Sequence, residues 1–213
     1  MLANHHSALV HPALVLVPYR PYHVPTYHAW MQSPVLRHLT ASEPLSLHDE
    51  YAMQQSWQND QDKLTFIVLA RPPHAAPDDA LTDDDIRALP MIGDVNLFLK
   101  GSPQDDDFEA EVEVMIAEPA YRRQRLAHTA LSLLLAYATS PAAPAPLPVP
   151  PARLVARIGQ DNAPSIRLFE SLGFEVVRRV DVFNELEMRP AANGARAHEW
   201  TAGAVVPFEA PDA

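Results

Sequence analysis

No cysteine occurs among the 213 residues of this chain, which excludes disulfides, thiolate metal sites, iron–sulfur ligation and a cysteine nucleophile. Cations are scarce as well. Lys and Arg number 16 against 27 Asp and Glu, a formal net charge of −11 with histidine neutral, so there is no general grip on nucleic acid or an anionic membrane. A local basic patch still suffices for a single anion. Only 6 glycines accompany 22 prolines, and glycine is the default residue where backbone must approach a ligand closely. No uninterrupted apolar run reaches the roughly 18 residues a membrane helix requires. The apolar opening from Ala8 to Val17 lacks a basic lead and is broken by His11 and Pro12, which reads as a strand starting at Ala13 rather than a signal peptide. The closing residues Ala210 to Ala213 match no retention or prenylation signal, so a cytoplasmic location is expected.

Apolar residues make up 47 % of the chain and charged residues 20 %, enough for one folded core at this length. Strands are expected at Leu14–Pro18, Leu64–Ala70, Met91–Leu99, Glu109–Ala117, Arg153–Ile158, Phe174–Val180 and Val182–Met188. A helix from Val24 to Gln32 is expected to stop at Ser33-Pro34, and a second runs from its cap Ser46 to Gln58. From Arg123 to Ala138, Leu126, Ala130, Leu133, Leu134 and Tyr137 fall on one helical face. Asn162 caps a further helix that has Pro164 in its first turn and Gly173 just past its end. The acidic, proline-bearing segment 71–90 reads as an inserted solvated loop, and 140–151, with six prolines between Pro141 and Pro151, as a polyproline-like spacer. After Arg189 a loose tail (190–213) is expected, with Trp200 and Phe208 as its possible anchors.

The stretch that carries chemistry is strand, loop, helix: Glu111-Val112-Glu113-Val114-Met115-Ile116-Ala117, then Glu118 to Arg125, then Leu126-Ala127. A loop entering a helix presents unpaired N–H groups and the positive end of the helix dipole, and three arginines in this turn point to an anion pocket. A basic, solvated helix start that balances acidic loops explains the same spacing. Glu111 and Glu113 lie two apart and so share a strand face. On a covered central strand, Glu113 suits proton transfer from an ammonium group; at a wet strand end the pair is ordinary surface charge. Asp94 and Asn96 fit a turn as well as catalysis, with Gly93-Asp94 marking a bulge. Ten histidines lack the spacing of a helical zinc motif, so no metal is expected.

The same unit, followed by Asn162-Ala163-Pro164-Ser165-Ile166-Arg167-Leu168-Phe169-Glu170-Ser171-Leu172-Gly173-Phe174, resembles the GNAT superfamily of N-acetyltransferases. The runs Leu39 to Leu45, Glu50 to Gln58 and Gly93 to Leu99 narrow the resemblance to the branch formed by N-acetyltransferase 9 and its relatives. It covers a domain at 13–189, apart from the inserted loops 71–90 and 140–151. The resemblance implies an α/β fold: a mixed twisted sheet flanked by helices, whose splayed central strands admit acetyl-CoA as co-substrate. It places the pantetheine arm along Met115, Ile116 and Ala117, the pyrophosphate on the amides of Arg122, Arg123, Gln124, Arg125, Leu126 and Ala127, and the thioester end near Asn162, Ser165 and Phe169. Glu113 and Asn162 are then the catalytic candidates, in a direct transfer that needs no covalent enzyme intermediate.

The superfamily loop pattern is Arg/Gln-x-x-Gly-x-Gly/Ala, and Arg125 stands at its central glycine, where a side chain either crowds the pyrophosphate or grips it. Many members carry a tyrosine where Phe169 stands, which leaves the role of general acid to Ser165 or water. The expected activity is acetylation of a primary amine, by resemblance a protein N-terminal α-amino group on a tubulin-type protein or peptide. An acidic acceptor side suits a small polyamine equally. The alternatives are a GNAT-fold scaffold with an impaired loop for CoA, and an enzyme that transfers a longer acyl chain.

Overall fold

The computed structural model describes residues 2–72, 81–191 and 200–209. Among the described residues, nine strands form one sheet in the order β7-β8-β6-β5-β4-β3-β2-β1-β9. They are β1 Ser7–His11, β2 Leu14–Pro18, β3 Lys63–Ala70, β4 Met91–Lys100, β5 Glu109–Ile116, β6 Leu154–Gly159, β7 Phe174–Val180, β8 Glu185–Pro190 and β9 Ala204–Pro207. Six helices flank it: α1 Val24–Met31, α2 Pro34–Leu39, α3 Leu47–Asn59, α4 Asp83–Arg87, α5 Leu126–Thr139 and α6 Ala163–Ser171. No helix of the described residues is long and apolar enough to cross a membrane.

Strand alternation divides the molecule into two layers. Leu16, Phe66, Val68, Val95, Leu97 and Val112 pack against Leu131 and Leu134 of α5 and Phe169 of α6. On the opposite face Val17, Ile67 and Met115 meet Tyr27 and Trp30 of α1 and Leu36 of α2, and Trp57 of α3 joins them.

Every neighbouring pair is antiparallel except β5 with β6, which is parallel and matched at only two positions, Ala110 with Leu154 and Glu111 with Val155. Beyond these, β5 stays with β4 as far as Ile116 opposite Gly93. β6 follows β8 instead, from Ala156 opposite Met188 to Gly159 opposite Glu185. Two central strands committed to different partners must diverge, and the splay expected of the sheet is present between them. Gly93 is needed at the end of this arrangement, because a Cβ there would lie 1.9 Å from the Met115 carbonyl oxygen.

Several expectations are corrected. The first helix stops before Ser33-Pro34 as expected, α1 closing at Met31, but Ser33 also opens a further helix that was not expected: it caps α2, its hydroxyl accepting from the Leu36 amide at 3.4 Å, with Pro34 in the first turn. The apolar opening is broken at Pro12 as expected, but the residues before it form a strand of their own: Pro12 sits in the turn of a β1–β2 hairpin. The bulge lies one residue before Gly93: Val68 faces Gly93 while Leu69 faces Met91, leaving Ile92 extra. Asp94 and Asn96 are inside β4, not in a turn. In the 71–90 loop, α4 forms behind a Thr82 capping box with Asp85 and buries Ile86; residues 73–80 lie outside the described residues. The proline segment is no free spacer, since Leu147 and Val149 are buried and the Val149 amide donates to Ala138 O at 2.8 Å. The tail is held down where it is described. β9 pairs with β1, Phe208 is fully buried, and the Trp200 indole donates to Leu172 O at 3.3 Å; residues 192–199 and 210–213 lie outside the described residues.

Candidate active site

The splay leaves one edge of β5 without a strand partner. The Ala117 amide donates to Ile92 O at 2.9 Å, so alternation turns the peptide groups of Glu113 and Met115 toward β4 and those of Val112, Val114 and Ile116 toward the gap. Of the strand residues expected to meet pantetheine, Ile116 turns its peptide to the cleft, with its carbonyl held by Arg122 Nε at 2.9 Å; Met115 does not, and Val114 joins Ile116. Open peptide groups lining a gap between strands suit a chain that carries amides of its own.

At the mouth of the gap lies the arginine loop, and α5 starts at Leu126 rather than Arg123. Arg123 and Arg125 both adopt positive φ, 62° and 63°, a conformation costing a non-glycine residue about 1 kcal/mol. Residues alternating into this region turn successive amides toward one side, which forms an anion-binding concavity. Thr129 is the first residue of α5 whose amide reaches back to a carbonyl, that of Arg125 at 3.0 Å. The amides of Leu126, Ala127 and His128 before it have no partner within the helix. Arg125 thus takes the backbone shape of the glycine it replaces, with its side chain at the surface.

The Arg122 amide, expected under the pyrophosphate, donates to Pro119 O at 3.2 Å, and its side chain is engaged as well. Its Nε donates to Ile116 O at 2.9 Å and its Nη2 to Ala117 O at 2.8 Å, which braces the loop against the end of β5. Gln124 donates to Ala120 O at 2.6 Å, within the loop. Only Arg123 and Arg125 of the three arginines keep their guanidinium groups clear of these backbone ties.

Glu111 and Glu113 share a face, as alternation requires, but their surroundings differ. Glu111 is buried and pairs with Lys100, and with Arg157 at 2.9 Å. Glu113 has no hydrogen-bond or ion-pair partner shown among the described residues. Its side chain reaches solvent, yet packed protein around the carboxyl, then the Glu111 and Asp94 charges, push it up to about 7 against the pull of Lys100. Glu111 is thus tied into ion pairs, while Glu113 keeps a carboxyl without one among the described residues.

Across β4, Asn96 faces Glu113 and Asp94 faces Met115. Asp94 Oδ2 accepts from Tyr27 at 3.3 Å and from Asn96 Nδ2 at 2.9 Å; burial pushes its carboxyl up to about 6, opposed by those two hydrogen bonds. Trp30 of α1 donates to Glu118 at 2.6 Å, linking the helices over this face to the residue that opens the arginine loop. Sequence reasoning missed Tyr27, Trp30 and Glu118, and read Asp94 and Asn96 as compatible with a turn. The period-two spacing of Asp94 and Asn96 in an apolar run was the available signal.

On α6 the expected residues are mostly structural. Asn162 Oδ1 accepts from the Ser165 amide at 3.3 Å as the helix cap. Ser165 sits in the first turn. Phe169 is buried edge-on against Phe174, ring centroids 5.2 Å apart.

Residues 13–175 match the family model described as an acetyltransferase (GNAT) domain. The chain belongs to the GNAT acetyltransferase family. It is 44 % identical to the alpha/beta-tubulin-N-acetyltransferase 9 of Mus musculus over 91 % of this chain and 74 % of the relative. Against the Homo sapiens protein of the same name it is 43 % identical, over 94 % of this chain and 90 % of the relative. Among solved GNAT-fold structures, a spermidine N-acetyltransferase from Vibrio cholerae in complex with CoA and spermine superposes with a TM-score of 0.65 at 16 % identity, covering 84 % of this chain and 95 % of that one. RimL, a ribosomal alpha-N-protein acetyltransferase, gives a TM-score of 0.63 at 13 % identity over 85 % and 92 %. These two likenesses show the fold. As a GNAT acetyltransferase the protein transfers acetyl from acetyl-CoA, and the open β5 edge with the amide concavity at 123–128 fits that co-substrate.

Proposed function

We propose that this enzyme acetylates a primary amine presented by a protein N-terminus, with tubulin the first acceptor to test. Its relatives carry the name alpha/beta-tubulin-N-acetyltransferase 9 at 43–44 % identity. The observation that carries the amine reading is Glu113: a carboxylate open to solvent, without a cation partner, on the strand that borders the splay. Bound acetyl-CoA supplies an activated thioester carbonyl. The chain's own part is to seat the diphosphate on the amides of the arginine loop, align the arm along Val114 and Ile116, and remove a proton from the incoming ammonium at a Glu113 oxygen. Peptide N–H groups at the open edge are placed to stabilise the oxyanion.

The deciding experiment supplies acetyl-CoA and peptides matching the N-termini of α- and β-tubulin, with free or blocked α-amino groups, and spermidine in parallel. Mass spectrometry should find one acetyl group on the free α-amine and none on the blocked peptides. Acetylated spermidine with unmodified peptides would replace the protein acceptor by a polyamine.

A further inference from the structure

The face of the sheet beneath α1 holds an unusual row of polar atoms. Thr65 of β3 stands opposite Asn96 of β4, which stands opposite Glu113 of β5; Asp94 lies two residues along β4 on the same face. Diagonal neighbours of this kind lie about 7 Å apart, so the Asp94 and Glu113 carboxylates are close without touching a common cation. Both Asp94 and Asn96 are more than nine-tenths buried, at 2 % and 5 % exposure. Asp94 Oδ1, Asn96 Oδ1, Thr65 Oγ1 and the Tyr19 hydroxyl have no hydrogen-bond partner among the described residues. A buried polar atom left unpaired costs about 1–3 kcal/mol. Of the four, Asp94 Oδ1 and Asn96 Oδ1 can only accept, so this part of β4 favours positive charge nearby.

We infer that Asp94 is a positioning residue for the acceptor: held on the sheet by Tyr27 and Asn96, its carboxylate supplies the fixed negative charge that draws the amine, as an ammonium ion, onto Glu113. The inference rests on the amine-acetylation reading and names the device that selects the cation. One proton passes from the ammonium to a Glu113 oxygen. The freed amine nitrogen bonds to the acetyl carbon as the carbon–sulfur bond breaks, the second amine proton goes with the departing thiolate, and Glu113 returns its proton to water. Asp94 neither gives nor takes a proton in this sequence.

Other charges around the pair do not replace Asp94. Glu111 on β5 also pushes Glu113 upward, but its carboxylate is bound in ion pairs with Lys100 and Arg157 and is not available to an incoming cation. Glu50 of α3 is engaged by His28 of α1 at 3.3 Å, and Glu118 accepts from Trp30. Tyr19 and Tyr27 stay protonated, since burial raises both hydroxyls far above their usual range. The like charge of Asp94 is one of the causes that push Glu113 upward, so removing it moves Glu113 back toward the ordinary carboxylate range.

The test uses the full chain with a free-amine tubulin N-terminal peptide and its desamino analogue, in the wild type and in Asp94→Asn, which keeps the shape of the side chain. In the wild type the desamino peptide should compete at least about tenfold less well than the amine binds, and in Asp94→Asn that ratio should fall to about twofold. KM for the amine should rise about tenfold with a smaller change in kcat. The ascending limb of kcat/KM against pH, set by deprotonation of Glu113, should move to lower pH. Calorimetry with acetyl-CoA should give the same affinity for both proteins and shows that the variant is folded. A wild type that binds both peptides equally overturns the inference without any variant. So does an Asp94→Asn enzyme whose ratio, KM and pH limb all match the wild type. Intact acetyl-CoA binding with no acetylation of peptide or spermidine by the wild type would instead sink the amine reading, and the inference with it.

Discussion

The two ends of β5 are built on opposite rules. At its first residues, where β6 is still alongside, charge is tied down. Arg157 reaches Glu109 at 2.5 Å and Glu111 at 2.9 Å, and Arg189 pairs with Glu109 and, at 2.9 Å, with Glu187. These pairs lace β5, β6 and β8 together just where the strands begin to part. Four residues on, the same strand faces a gap on one side, and Glu113 has no ion-pair partner among the described residues. A single strand thus carries a fastened end that fixes the vertex of the splay and an open end that keeps hydrogen-bonding capacity for ligands. The end proposed to carry function is the one where ordinary pairing is incomplete.

The sharpest way to break this contrast is Glu113→Gln, which keeps size and removes the base. It is expected to lower kcat/KM by about 10²- to 10³-fold with little change in melting temperature; a loss under threefold would move the proton acceptor elsewhere. Gly93→Ala attacks the seam that holds the open end to β4. Its new Cβ meets backbone rather than a flexible side chain, so a destabilisation of about 3 kcal/mol is expected in a denaturant titration. Arg157→Leu addresses the fastened end, uncoupling Glu109 and Glu111 for about 1–2 kcal/mol after allowing for partial solvent exposure of the pair.

Acid should loosen the same end. Burial raises the Glu109 carboxyl, but hydrogen bonds and charge from Arg157 and Arg189 outweigh it and hold it below the usual range. A depressed carboxyl stabilises the fold above its unfolded value, and that contribution is lost as pH falls through the folded one. Unfolding of Arg157→Leu should therefore depend less on pH below about 4.5 than that of the wild type. The smallest effect belongs to Arg125→Gly. Relief of the positive φ should raise stability by up to about 1 kcal/mol, while loss of the guanidinium weakens CoA binding about fivefold; calorimetry reads the second and thermal melting the first.

Much of this was legible in the sequence where local rules suffice. The two-residue spacing of Glu111 and Glu113 placed both on one face, and Ser46 and Asn162 announced their helices through capping chemistry. What separates the two glutamates was not legible, because Lys100 and Arg157 come from other strands. Asp94 resembled a turn residue by composition, and only pairing on both sides shows it to be interior. The tail reads as loose until its pairing is known: Phe208 is buried through the meeting of β9 with β1, some two hundred positions earlier. Arg125 departs from the glycine pattern in side chain but not in backbone, a distinction composition does not carry.

The bond from Trp30 to Glu118 gives the molecule an optical gauge of its own state. An indole whose N–H is tethered to Glu118, next to the arginine loop, is placed to report a rearrangement there, so acetyl-CoA binding is expected to change tryptophan fluorescence without a label. With Trp57 and Trp200 each replaced by Phe, the remaining signal comes from that one position, and the order in which donor and acceptor arrive becomes a stopped-flow measurement.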